Sequence, residues 1–227
     1  MQGGVKTLKK FNMLCSVLVI FTAAIFVVTL AQNIVFRTAD IYLFYFIDSR
    51  AVNQIYTTLD NSEMADEIAS FMNSWNPEEF QVYEDTGYDL QGIFTEDESK
   101  NMLIVKKWLD CSAAIMIVSL ILTAAIYTYF LRNDYKKALR DRYKISIGLI
   151  PAEIVVTAAL TATNGGRQWI FEKMQLVELP EDSALIHLIG PDYLSMATMF
   201  YIAIGMVIFA VATWLVFRLT RPPRIFY

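Results

Sequence analysis

Four long apolar runs alternate with polar segments along this chain of 227 residues. Each run is long enough for a helix that crosses the ~30 Å hydrocarbon core of a bilayer, because about 20 residues at 1.5 Å each suffice. The pattern predicts an all-α transmembrane fold, a four-helix membrane bundle with a small α+β extracytoplasmic cap. The predicted spans cover about residues 11–36, 109–131, 145–163 and 194–217.

The second span is predicted to begin in water. Thr95, followed three residues later by Glu98, has the sequence form of a helix N-cap with a reciprocal capping glutamate. No glycine or proline interrupts the chain from there to Leu131. One continuous helix should therefore start in solvent, reach the lipid headgroups near residues 106–108 and cross the membrane.

The segment before this helix carries the pattern of a small cap. Ser62 is predicted to open an amphipathic helix that ends at 76–77, and residues 80–84 and 88–94 flank turn residues at 85–87, which predicts a β-hairpin. Residues 41–47 are too short to span, so they either lie at the membrane interface or form a buried strand. The apolar residues expected near one face of the helix are Met64, Ile68, Phe71, Met72 and Trp75.

Charge is segregated along the chain in a way that predicts its topology. Residues 37–107 carry fourteen acidic and five basic side chains, whereas 132–144 carry two acidic and six basic ones. By the positive-inside rule, 37–108 and 164–193 are external, and the loop 132–144 and both termini are cytoplasmic. A cleaved signal peptide ending near 29–31 is the alternative for the first span, but the apolar run continues to Phe36.

The third span has two unusual residues. Pro151 is expected to break its helix, and Glu153 lies about nine residues in from the cytoplasmic end. A carboxyl group at that depth must face the protein interior or a wet cavity. Glu153 is therefore either a functional group or, as we prefer, a protonated or hydrogen-bonded carboxyl beside a carbonyl that the proline leaves free.

Composition excludes several classes of site. Cys15 and Cys111 begin oppositely oriented spans, so they cannot pair as a disulfide, and with a single histidine they cannot form a zinc site. No metal or cofactor is predicted. The short basic loop is explained by topology, so nucleic-acid binding is not predicted either.

Three strings resemble a known family in the same order between the same spans. Residues 94–106, FTEDESKNMLIVK, resemble the pattern F-x-E-x-E-x-x-H-M-x-D-V-K at the entrance to a second span, and 169–171 and 182–193 resemble a tryptophan-containing loop and the string D-x-L-I-x-x-L-P-E-x-F. These are patterns of the lipoprotein intramolecular transacylases, bacterial proteins with four membrane helices and an external cap. The resemblance covers nearly the whole chain.

The resemblance implies transfer of an acyl chain from the glycerol of a lipoprotein's lipid-modified cysteine to that cysteine's amine, with two histidines moving protons. Neither histidine has a counterpart here. Asn101 stands at the position of the first, Ile104 replaces the neighbouring aspartate, and 160–164 contains no histidine. General acid–base assistance contributes about 10²–10⁴-fold, so these replacements argue against efficient turnover.

Three functions stay open at this point: a divergent acyltransferase at the external lipid boundary, a non-catalytic pseudoenzyme that binds lipid or lipopeptide, and a structural partner of another membrane protein. Membrane lipids and a lipoprotein N-terminus are the expected partners. His187, the only histidine, is the candidate for a relocated base. The candidate catalytic residues are Asn101, Glu98 and His187, and the candidate lipid-binding residues are Lys106, Trp169 and Asp182.

Overall fold

The computed structural model describes residues 2–55, 57–75, 78–85, 90–180 and 182–221, and the side chains of these except for 2–11, 85 and 90. Most of the chain is helical. The elements in chain order are α1 (Gln2–Arg37), α2 (Ala39–Ser49), a single 3-10 turn (Val52–Gln54), α3 (Asn61–Asn73), β1 (Tyr83–Asp85), β2 (Leu90–Gly92), α4 (Glu96–Arg132), α5 (Lys136–Ala162), α6 (Asn164–Met174), α7 (Ala184–Ile189) and α8 (Pro191–Leu219).

Within the described residues, four helical segments are long and apolar enough to cross a membrane. They are Asn12–Arg37, Glu96–Arg132, Lys136–Ala162 and Ala184–Leu219. Each overlaps one of the four spans that the apolar pattern predicts, with ends that differ by one or more residues. The prediction of four membrane helices is therefore confirmed.

The chain divides into two compact units, and each long helix contributes to both. The first unit comprises Met1–Ala31, Ala113–Val156 and Ala203–Tyr227. Hydroxyl groups link its helices: Thr123 donates to Thr22 at 2.9 Å, and Tyr129 donates to Asn12 at 2.8 Å. Its buried apolar cluster consists of Cys15, Val19, Ile20, Ile126, Phe130 and Leu139.

The second unit comprises Gln32–Ser112 and Thr157–Ile202, and within it α2 packs against α3. The strand alternative for 41–47 is wrong, because the buried residues follow helical spacing: Ile41, Tyr42, Tyr45 and Phe46. The ring of Tyr42 stacks on that of Tyr193, with centroids 5.0 Å apart. Burial raises the pKa of Tyr42 well above its usual range, so its neutral hydroxyl donates to the Phe36 carbonyl at 2.8 Å.

The predicted amphipathic helix is present as α3, but its cap and its face differ in detail. Asp60, not Ser62, is the N-cap; its carboxylate accepts from the Glu63 amide at 2.8 Å, and Glu63 reaches back to the Asp60 amide at 3.0 Å. A carboxylate with this reciprocal partner satisfies two free amides at once. Trp75 lies beyond the helix end and is 98% exposed, and the predicted stop at 76–77 falls outside the described residues.

The hairpin is limited to two short antiparallel strands, with Tyr83 opposite Gly92 and Glu84 opposite Gln91. Residues 80–82 and 93–94 of the predicted strands lie outside the two strands, and residues 86–89 fall outside the described part of the chain.

The predicted break at Pro151 does not occur. Pro151 lies inside α5, which continues without a break, since a proline removes one backbone donor and the surrounding helix can re-satisfy the freed carbonyl. Gly165 and Gly166 lie in the first turn of α6, where the Thr163 side chain accepts from the Gly166 amide at 3.2 Å. Thr163 alone separates α5 from α6.

Candidate functional site

Helix α4 begins as predicted, and its outer part presents three buried polar side chains. The Thr95 amide and hydroxyl both donate to Glu98, at 2.7 and 2.9 Å, which confirms the predicted cap. Glu98, Asn101 and Lys106 are all buried, and the Lys106 side chain is only 1% exposed. Because buried polar groups must be hydrogen-bonded, the partners of these three residues define what the site can do.

The carboxylate of Glu98 accepts four hydrogen bonds. One oxygen, Oε2, receives the two from Thr95, and Oε1 receives the Ser183 hydroxyl at 2.5 Å and the Leu185 amide at 3.1 Å. Four donors converge on an acceptor, which suits an ionised carboxylate. Glu98 therefore joins the start of α4 to the start of α7.

The amide of Asn101 is engaged on both sides by one backbone residue. Its Nδ2 donates to the Val177 carbonyl at 2.8 Å, and its Oδ1 accepts from the Val177 amide at 2.8 Å. Val177 lies in an irregular segment after α6, where no helix or strand supplies backbone partners. Asn101 therefore holds this segment against α4.

Lys106 is directed at the end of α3. Its Nζ donates to the Met72 carbonyl at 3.3 Å and lies 3.2 Å from an Asp110 oxygen. Arg37 donates to the same Met72 carbonyl and forms an ion pair with Asp110 at 2.6 Å. Two cations thus meet the carbonyl end of a helix, where the helix dipole favours positive charge.

The three residues share one arrangement: each binds the backbone of a different segment of the second unit. Glu98 binds the start of α7, Asn101 binds Val177 and Lys106 binds the end of α3. Their chemical capacity is limited accordingly. Asn101 cannot accept a proton near neutral pH, and each oxygen of Glu98 already accepts two hydrogen bonds, which matches its two lone pairs.

The other predicted site residues are not joined to this cluster by any polar contact among the described residues. His187 lies on α7, where its backbone carbonyl accepts from the Tyr45 hydroxyl at 3.3 Å. Trp169 lies on helix α6, not on a loop, and is exposed, as is Asp182. Glu153 lies in α5 within the first unit and so is not part of this second-unit cluster.

Sequence analysis missed the partners that give this cluster its form. Arg37 and Asp110 could have been found, because opposite charges at the ends of two predicted spans favour an ion pair. Val177 and Met72 could not, since they contribute only backbone groups. Within the described residues, no group of three or more potential metal-ligating His, Cys, Asp or Glu side chains occurs.

An open cavity lies in the second unit, between α3 and the strand β1. Its lining includes the carboxylates of Glu63, Asp66 and Glu67 together with the apolar residues Leu59 and Val82. None of the predicted site residues lines it.

No protein-family model and no curated protein matches the chain. Solved structures do match, and they include three of the membrane integral lipoprotein intramolecular transacylase Lit from Bacillus cereus. A variant with one histidine replaced by arginine gives a TM-score of 0.68 at 13% identity, covering 96% of this chain and 97% of that one. The corresponding alanine variant gives 0.67 at 14%, with 95% and 98% covered.

A third structure of the same protein gives a TM-score of 0.63 at 12% identity and covers 92% of this chain and 98% of that chain. Likeness at such low identity is evidence of fold. The predicted resemblance is therefore confirmed at that level: the chain is a multi-pass membrane protein with the Lit-like membrane fold.

Proposed function

We propose that this chain is a Lit-like membrane protein that binds a lipid or a lipid-modified peptide at the external membrane boundary, without transferring an acyl chain by the family's histidine-dependent route. Asn101 is the observation that carries the proposal. It occupies the position that resembles the family's first histidine, and both sides of its amide are committed to Val177.

The chemical reason is the fate of one proton. An amine that attacks an ester must lose a proton, and a side chain that titrates near neutrality accepts it efficiently. Asparagine has no such acid–base equilibrium. The ammonium of Lys106, committed to Met72 and Asp110, is a donor and does not supply a base.

Acyl transfer stays the alternative, because the matching structures are of a transacylase. It requires a relocated base, for which His187 is the candidate. Glu98 binds Ser183 and Leu185, at the start of the helix that carries His187, so the candidate acid and the candidate base belong to segments that contact each other. A structural role beside another membrane protein is the remaining alternative.

The decisive experiment measures lipoprotein N-termini by mass spectrometry after expression of the chain in a bacterium that lacks such transacylases. We expect the N-terminal lipid to stay unrearranged. The amide-acylated lyso form would contradict the proposal, and its loss in His187→Ala would then identify His187 as the relocated base.

A gain-of-function variant tests whether the scaffold is otherwise competent. Asn101→His combined with Leu160→His places one histidine at the position that resembles the family's first and one in the region 160–164, where the resemblance implies the second.

A separate measurement tests lipid binding. We expect the detergent-purified wild type to carry bound lipid or lipopeptide, detected by mass spectrometry of the extracted complex. Absence of any bound lipid, together with a stoichiometric protein partner, would instead support the structural role.

A further inference from the structure

Two arginines of the first unit lie over aromatic rings of α8. The guanidinium carbon of Arg218 is 4.9 Å from the centroid of the Trp214 ring, and that of Arg140, on α5, is 4.8 Å from the centroid of the Phe217 ring. Such stacking engages the face of a guanidinium group and leaves its in-plane N–H groups for other acceptors. Trp214 and Phe217 are three residues apart on one helix, so the two rings are neighbours.

Neither arginine forms an ion pair with a carboxylate among the described residues, although Asp141, the next residue in the chain, interacts electrostatically with Arg140. The acidic side chains of the segment 132–144 are committed elsewhere: Asp134 lies 3.9 Å from Lys136, and Asp141 lies 3.0 Å from Lys144. The stretches 1–11 and 222–227 contain no Asp or Glu in the sequence. Within the described residues, the two like charges on adjacent rings therefore have no carboxylate in hydrogen-bond contact, and an external anion would relieve their repulsion.

An apolar row on the same helix leads up to this charge. Val207, Val211 and Trp214 follow one another at spacings of four and three residues, and each is more than half exposed. Residues so spaced lie along one side of a helix, and Arg218, four residues after Trp214, continues the row. The row thus changes from an exposed apolar surface to a guanidinium group at its end.

We propose that Arg140 and Arg218 bind the phosphate of an anionic phospholipid whose acyl chain lies along Val207, Val211 and Trp214. Guanidinium groups present paired N–H donors that match phosphate oxygens, and basic sites beside membrane helices recognise lipid headgroups in this way. The apolar row favours a lipid over a free phosphate ion. This site uses none of the residues of the proposed function and stands independently of it.

The test titrates the full-length chain, purified in detergent, with phosphatidylglycerol or phosphatidylcholine and counts bound lipid by native mass spectrometry. We expect phosphatidylglycerol to bind preferentially. Arg140→Gln with Arg218→Gln should weaken its binding about tenfold, the equivalent of ~1.4 kcal/mol. Arg132→Gln with Lys137→Gln is the matched control, because it removes the same charge from exposed positions and should change binding by less than about twofold.

Two single variants separate the contribution of ring stacking from that of charge. They also test the proposal if the double variant does not fold. Trp214→Leu keeps the apolar row but removes the ring beneath Arg218, and Arg218→Lys keeps the charge but removes the planar donor set; each should weaken phosphatidylglycerol binding about threefold. Equal losses in the two double variants would overturn the proposal. So would equal binding of phosphatidylcholine, or displacement of the lipid by inorganic phosphate at millimolar concentration.

Discussion

The amide of Asn101 satisfies the backbone of a segment that has no regular secondary structure. Both hydrogen bonds to Val177 are 2.8 Å long and join residues 76 positions apart in sequence. A buried backbone amide or carbonyl without a partner costs free energy, so irregular segments need side chains of this kind. Glu98 does the same for the amide of Leu185. In the part of α4 that resembles the transacylase motif, Asn101 and Glu98 thus hydrogen-bond to the backbone of neighbouring segments.

Asn101→Ala should lower the free energy of unfolding by about 1–3 kcal/mol, because it leaves the Val177 amide and carbonyl without their partners. Unfolding of the purified protein in mixed detergent micelles measures the change. The matched control is Lys100→Ala, the neighbouring residue, whose exposed ion pair with Asp97 at 3.4 Å should contribute less than ~0.5 kcal/mol. Equal effects of the two substitutions would contradict the role that we assign to Asn101.

Helices α5 and α6 follow one another so closely that their junction requires a glycine. A Cβ atom on Gly166 would lie 2.1 Å from the carbonyl oxygen of Leu160, a backbone atom that cannot move aside cheaply. On Gly165, next to it in the same helix, a Cβ atom would meet nothing within 4 Å. The two glycines therefore differ in what they contribute to the element, although the sequence presents them as a pair.

Gly166→Ala should destabilise the protein by about 1–3 kcal/mol, since the backbone must shift to accept the methyl group. Gly165→Ala should instead stabilise it by up to about 1 kcal/mol, because alanine has the higher helix propensity. Thermal unfolding of both variants in the same detergent tests the difference in sign. A similar loss of stability in both variants would show that the close approach of the Leu160 carbonyl does not explain the effect of substituting Gly166.

At the scale of the whole molecule, charge segregation predicts which segments face each side of the membrane. The acidic helix α3 belongs to the predicted external segment, and the basic start of α5 belongs to the predicted cytoplasmic loop. The positive-inside rule depends on short basic loops such as 132–144, which carries six basic residues. This orientation is a prediction that labelling of single cysteines tests directly.

In a background with Cys15→Ser and Cys111→Ser, we expect Glu67→Cys to react with a membrane-impermeant maleimide in intact cells. Lys137→Cys should react only after the cells are permeabilised. Both positions are exposed, so a difference in labelling reports sidedness and not burial. If Lys137→Cys is labelled in intact cells and Glu67→Cys is not, the predicted orientation in the membrane is wrong.

The sequence by itself determined the elements whose signals are local. The four membrane helices follow from apolar length, and the start of α4 follows from the spacing of Thr95 and Glu98. Both signals act over a few turns of one helix, so no distant contact is needed to interpret them. The two short strands of the hairpin belong to the same class.

Only the tertiary structure decided what the polar residues of α4 bind. Asn101 meets Val177 and Lys106 meets Met72 through backbone groups, which leave no trace in residue type. Local pattern also left the state of 41–47 open, and in the structure this helical segment is buried in part against the distant ring of Tyr193. Local pattern determines which residues can be buried, but the partner of a buried polar group is determined by chain segments far away in sequence.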